Sequence, residues 1–150
     1  MISAPVLGPA MPHPLRVLIT NDQEWSLRSL ESVLAPLELQ ISRAFTCAQA
    51  LHLLEQTSHD LLFLDTNLPD GDGIALARTV RERGLVELDV PVLMTTSGHV
   101  GRKERLSAYE AGAWDYLAEP FDGALLMARV RTYLAARTAT LSRAAAAELL

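Results

Sequence analysis

The chain has little of what several protein classes need. It carries one cysteine, Cys47, among 150 residues. A lone thiol closes no internal disulfide, so the fold does not rely on one. Aromatic residues are few, at 5%, although 49% of the chain is apolar. Positive charge is not in excess: the net charge is −5, which argues against a nucleic-acid surface. No unbroken apolar stretch approaches the ~20 residues of a membrane span. The first fourteen residues hold Pro5, Pro9, Pro12 and Pro14 but neither a basic leader nor a continuous apolar core. A secretory signal is therefore not expected, and residues 1–14 read as a flexible arm on a cytoplasmic protein. His13, His52, His59 and His99 show no metal-ligand spacing, and no Gly-rich phosphate loop or internal repeat is present.

What is present alternates. Leu15 to Thr20 is a short apolar run, then Leu30, Val33, Leu34 and Leu37 recur at helical spacing. Glu38 to Phe45 is a weaker strand. Thr46 with Gln49 three residues on is a capping-box signature for a helix that turns Ala50, Leu51 and Leu54 inward. Asp60 to Asp65 is a third strand, and Ile74 to Arg83 a helix stopped by Gly84. Val90 to Thr96 is a fourth strand, and Gly101 to Ala111 a polar helix closed by Gly112. Trp114 to Ala118 is a fifth strand. A final helix runs from Asp122 almost to the end. Strict strand–helix alternation predicts an α/β fold with a five-stranded parallel, doubly wound sheet of order 2-1-3-4-5.

Three strand ends then carry chemistry. Leu61-Leu62-Phe63-Leu64 ends in Asp65 and opens into Thr66-Asn67-Leu68-Pro69-Asp70-Gly71-Asp72-Gly73. Asp22 follows the first run in the same way, and the fourth ends in Thr95 and Thr96. In open α/β sheets the C-terminal strand edges are where ligands bind, so these groups are expected in one crevice.

The ordered set Asn21-Asp22, Asp65, Pro69, Gly73, Thr96 and the segment from Ala111 to Phe121 resembles the receiver domain of two-component response regulators. The likeness covers roughly residues 15–135. It implies a flavodoxin-like receiver fold with Asp65 as phosphoacceptor from a sensor histidine kinase or phosphotransfer protein. It implies Mg²⁺ held by Asp22, Asp65 and the Asn67 carbonyl, with Asn21 acting through a water. It also implies that the Thr96 hydroxyl meets a phosphoryl oxygen and that Tyr116 turns inward when that hydroxyl moves. A hard cation is needed because two anions must meet when a carboxylate attacks a phosphoryl group.

Two positions depart from the pattern. Asn21 stands where an acid is usual. Glu119 stands where the family has the lysine that pairs with the phosphoryl group. A phosphorylated Asp65 carries roughly −2 charge. At ~5 Å and an effective dielectric near 20, repulsion from Glu119 is on the order of several kcal/mol before screening. The expectation is a receiver whose phosphoacceptance is impaired or atypical and which signals through partner or dimer contacts. A conventional Mg-dependent response regulator is the alternative. An aspartyl-nucleophile phosphohydrolase is remote, because such enzymes commonly place a second acid where Asn67 stands; the chain is not expected to be an enzyme.

The receiver is expected over residues 15–136, and 137–150 as a helical extension or linker to an output domain. Val130, Leu134, Leu141, Ala145 and Leu149 form a loosely heptad-spaced seam, with Arg129, Arg131, Arg137 and Arg143 around it. A homodimer through this helix, with Asp115 and Arg131 paired across its interface, is expected.

Overall fold

A computed structural model describes residues 14–149. Apart from Pro14, the expected N-terminal arm lies outside the described residues. Five parallel strands form one sheet: β1 (Arg16–Thr20), β2 (Gln40–Ala44), β3 (Leu61–Asp65), β4 (Val92–Thr96) and β5 (Asp115–Ala118). Their order is 2-1-3-4-5, as the alternation predicts. The helices are α1 (Glu24–Leu34), α2 (Cys47–Gln56), α3 (Gly73–Glu82), α4 (Arg102–Glu110) and α5 (Gly123–Glu148).

The two-residue strand period sorts the core into two layers. Leu61 and Phe63 of β3 face the layer closed by Leu27 and Leu30 of α1 and by Leu126, Val130 and Leu134 of α5. Leu62 and Leu64 face the layer that contains Leu54 of α2, Leu76 and Val80 of α3, and Ala108 of α4. Every residue of β3 is buried, which is why this strand reads as an unbroken apolar run. Strand β2, at one edge, has a single buried residue, Ala44, and gives the weakest signal.

Local chemistry sets the helix starts. The Gln49 amide donates to Thr46 Oγ1 at 3.0 Å, while the Gln49 side chain accepts from the Phe45 amide at 2.7 Å. Asp70, in the turn after β3, adds a cap from outside, accepting the amides of Cys47 and Ala48 at 2.8 and 3.0 Å. Helix α3 starts one residue before the expected Ile74, capped by Asp72, whose carboxylate accepts the Ile74 amide. Residues Asn67–Leu68 and Gly71–Asp72 form a short antiparallel ladder that the sequence did not reveal. Gly84 takes the left-handed conformation expected of a helix stop, with φ 63°.

One reading of α5 changes. Arg137 is buried, with its side chain 2% exposed, not set beside an open seam. It donates to Asp60 at 3.0 Å, to both oxygens of Asp89 at 2.8 and 2.9 Å, and to Glu87 at 2.7 Å. Asp60 also accepts the Arg16 amide, so this cluster ties α5 to the N-terminal edge of the sheet. Asp115 is engaged within the chain by Arg129 at 3.1 Å and by the Tyr133 hydroxyl at 2.7 Å, whereas Arg131 is exposed.

Candidate functional site

Strand register brings the site together. Asp65 pairs with Thr95 across β3 and β4, and Thr20 pairs with Leu64 across β1 and β3, which brings Asn21 level with Asp65. Thr96 pairs with Ala118, so Glu119 leaves β5 beside Ser97. A cleft at this edge is lined by Asn21, Asp22, Asp65, Asn67, Ser97 and Glu119, with Trp25 and Ser26 from α1.

Asp65 is 6% exposed. One carboxylate oxygen accepts from Asn21 Nδ2 at 3.3 Å and from Thr95 Oγ1 at 3.2 Å. The other accepts the Asn67 amide at 3.1 Å. Burial pushes its pKa up to about 6, and the negative charges of Glu119 and Asp22 push the same way against the hydrogen bonds from Asn67 and Thr95. Asn21 is buried, and its carbonyl oxygen accepts the Gln23 amide at 3.0 Å. It thus supplies a donor to Asp65 where a second acid would add repulsion. Glu119 is half-buried and accepts a hydrogen bond from the Ser26 hydroxyl.

The turn after Asp65 depends on Gly73. Its amide donates to the Thr66 carbonyl at 2.9 Å, and a Cβ there would stand 1.8 Å from the Asp65 carbonyl oxygen. No side chain fits between them. The Thr96 hydroxyl accepts a long contact, 3.4 Å, from the Gly98 amide. Tyr116 is 8% exposed and its ring points inward. Its hydroxyl is buried without a hydrogen-bond partner among the described residues.

The structure thus brings Asn21, Asp22, Asp65, Asn67 and Glu119 to one cleft, with Thr96 and Tyr116 behind it. Two contributors, Ser26 and Trp25, escaped the sequence reading. Thr95 was visible only as a strand-end hydroxyl, and its bond to Asp65 follows from the β3–β4 register. Ser26 and Trp25 follow Asp22 by a few residues, and no motif signals them.

This fold and site define a receiver module. The chain belongs to the response regulator receiver domain family, whose pattern matches residues 17–131. It is 38% identical over 125 residues to the transcriptional regulatory protein PrrA of Mycobacterium leprae (strain TN), a match covering 83% of this chain and 52% of PrrA. It is 32% identical over 117 residues to the response regulator PleD of Caulobacter vibrioides (strain NA1000 / CB15N), covering 78% of this chain and 25% of PleD. The chain therefore spans between a quarter and about half the length of these relatives. Among solved structures, a response regulator from Chloroflexus aurantiacus J-10-fl superposes with TM-score 0.74 at 34% identity, covering 82% of this chain and 99% of that one.

Receiver domains typically bind Mg²⁺ at the phosphorylation site. The donors here suit such an ion: the exposed Asp22 and the buried Asp65 line one cleft with Asn67. Among the described residues no group of three or more His, Cys, Asp or Glu that could hold a metal ion is found. An ion held by fewer protein groups keeps several of its waters. When bound, it would offset the meeting of two anions.

Proposed function

We propose that this receiver accepts a phosphoryl group at Asp65 poorly, and that its output rests on contacts with a partner or a second copy of the chain. The observation that carries this is Glu119 in the Asp65 cleft, where the family's lysine would stand. Its carboxylate already raises the Asp65 pKa.

In phosphotransfer, an Asp65 oxygen forms a bond to phosphorus as the P–N bond of a phosphohistidine donor breaks, and the freed imidazole keeps the electron pair and takes a proton. Asp22, Asp65 and Asn67 would hold Mg²⁺, and the Thr96 hydroxyl would meet a phosphoryl oxygen. Glu119 opposes the charge that develops there and supplies no compensating donor. The donor class is a sensor histidine kinase or phosphotransfer protein. The chain's role is signalling, not turnover.

The test is incubation of the full chain with a small acyl-phosphate donor and Mg²⁺, read by intact mass. Little added phosphoryl mass is expected. Ready and lasting modification of Asp65 would favour the conventional Mg-dependent regulator instead.

A further inference from the structure

A phosphoryl group on Asp65 would bring negative charge into a cleft with no cation of its own. Three of the residues lining that cleft are acids, Asp22, Asp65 and Glu119, and none is basic. A second cleft shares Asn67 with it. Thr66, Asn67 and Asp72, from the turn after β3, line this second cleft together with Lys103 and Ser107 of α4. Asn67 joins the two, because its amide donates to an Asp65 carboxylate oxygen at 3.1 Å.

Of the described residues that line either cleft, Lys103 alone is basic, and it is the only lysine in the chain. It is exposed, and its ammonium has no ion pair or hydrogen bond among the described residues. The nearby charges are in part engaged already. The Asp72 carboxylate accepts the Ile74 amide at 2.9 Å as the cap of α3. The Arg105 guanidinium lies over the Tyr116 ring, with Cζ 6.0 Å from its centroid. An exposed ammonium on a flexible four-carbon stem reorients at little cost toward new negative charge.

We propose that Lys103 supplies the counter-charge when Asp65 takes up a phosphoryl group, turning across Asn67 to pair with a phosphoryl oxygen. In that step an Asp65 oxygen bonds to phosphorus as the bond from phosphorus to the donor breaks, and the donor keeps the electron pair. Lys103 gives up no proton; it offsets charge that Glu119 opposes. This rests on the reading that the cleft accepts a phosphoryl group poorly, and it names the residue that carries the acceptance that remains.

The experiment follows labelling of the full chain by one acyl-phosphate donor with Mg²⁺, read by intact mass. The native chain, Glu119→Gln and Glu119→Lys are compared, each with and without Lys103→Met; Glu119→Gln serves where native labelling is slow. In the native chain and in Glu119→Gln, Lys103→Met should slow labelling about fivefold, the effect of a partly exposed charge pair. Lys103→Arg should keep most of the rate. In Glu119→Lys a positive side chain already lies in the cleft, so Lys103→Met should slow labelling less than about twofold. An equal loss in all three backgrounds would be a general effect of surface charge and overturns the proposal. So does a rate in Glu119→Gln that Lys103→Met leaves unchanged. The two readings fail separately. Ready labelling of the native chain that slows on Lys103→Met removes the impaired acceptor and keeps the role of Lys103; poor labelling indifferent to Lys103 does the reverse.

Discussion

Asp65 sits where burial and neighbouring acids favour its protonated form while three hydrogen bonds favour its charged form. Burial prevails, and its pKa rises from 3.8 to about 6. The folded chain holds that proton more tightly than the unfolded chain does. Stability therefore falls as pH rises through the interval between those values, and the penalty is complete above it. A shift of about two units corresponds to roughly 3 kcal/mol, from which the lost charge-assisted hydrogen bonds must be deducted. Asp65→Asn should therefore stabilise the chain by about 1–2 kcal/mol at pH 7 and by much less at pH 4. Urea unfolding at the two pH values checks this, and a loss of stability at pH 7 would count against it. Gly73 is constrained more simply. Gly73→Ala forces a methyl group into backbone atoms that cannot rotate away, and a cost of about 2–3 kcal/mol is expected in the same assay. The glycine could be read from the sequence as part of the turn, but its contact with the Asp65 carbonyl could not, because it depends on how α3 leaves β3.

Among the elements, β3 and the capped start of α2 were legible because their signals are local: a buried aliphatic run and a Thr46–Gln49 pair. Helix α5 was legible in extent but not in phase. Arg137 looks like a surface residue because its partners Asp60, Glu87 and Asp89 are remote in sequence. Within the chain the helix turns Arg129 and Tyr133 toward Asp115, an engagement that no local pattern signals. Removing Arg137 takes one cation away from the fully buried Asp60 and from Glu87 and Asp89, so Arg137→Ala should destabilise by about 3–5 kcal/mol, measured by urea unfolding. A cost under ~1 kcal/mol would show that the cluster adds little beyond a surface pair. The same geometry fixes how the proposed dimer should be tested. A chain cut after Thr138 keeps Arg137 and the buried Thr138, and loses only the more exposed end of α5. If that end joins two copies, light scattering should report a monomer for the cut chain; an unchanged mass would exclude the role.

Over the whole molecule, the parallel order followed from alternation alone, since right-handed crossovers leave few arrangements. The convergence of separate strand ends followed from the sheet geometry. The charges of the cleft were legible as residue types at Asn21, Asp22, Asp65 and Glu119, but not the balance of hydrogen bonds that holds them. That balance depends on Asn21 donating to Asp65, on Ser26 holding Glu119, and on register. No helix among the described residues is long and apolar enough to cross a membrane. The net charge of −5 adds a general field that works against further negative charge.

The most direct measurement compares the rate of Asp65 phosphorylation by one acyl-phosphate donor, with Mg²⁺, in the native chain, Glu119→Gln and Glu119→Lys. The sign of the side chain should order the rates, with lysine fastest, glutamine between and the native chain slowest. A step of about tenfold is expected for each ~1.4 kcal/mol of repulsion removed. A native chain that reacts as fast as Glu119→Lys would contradict the account.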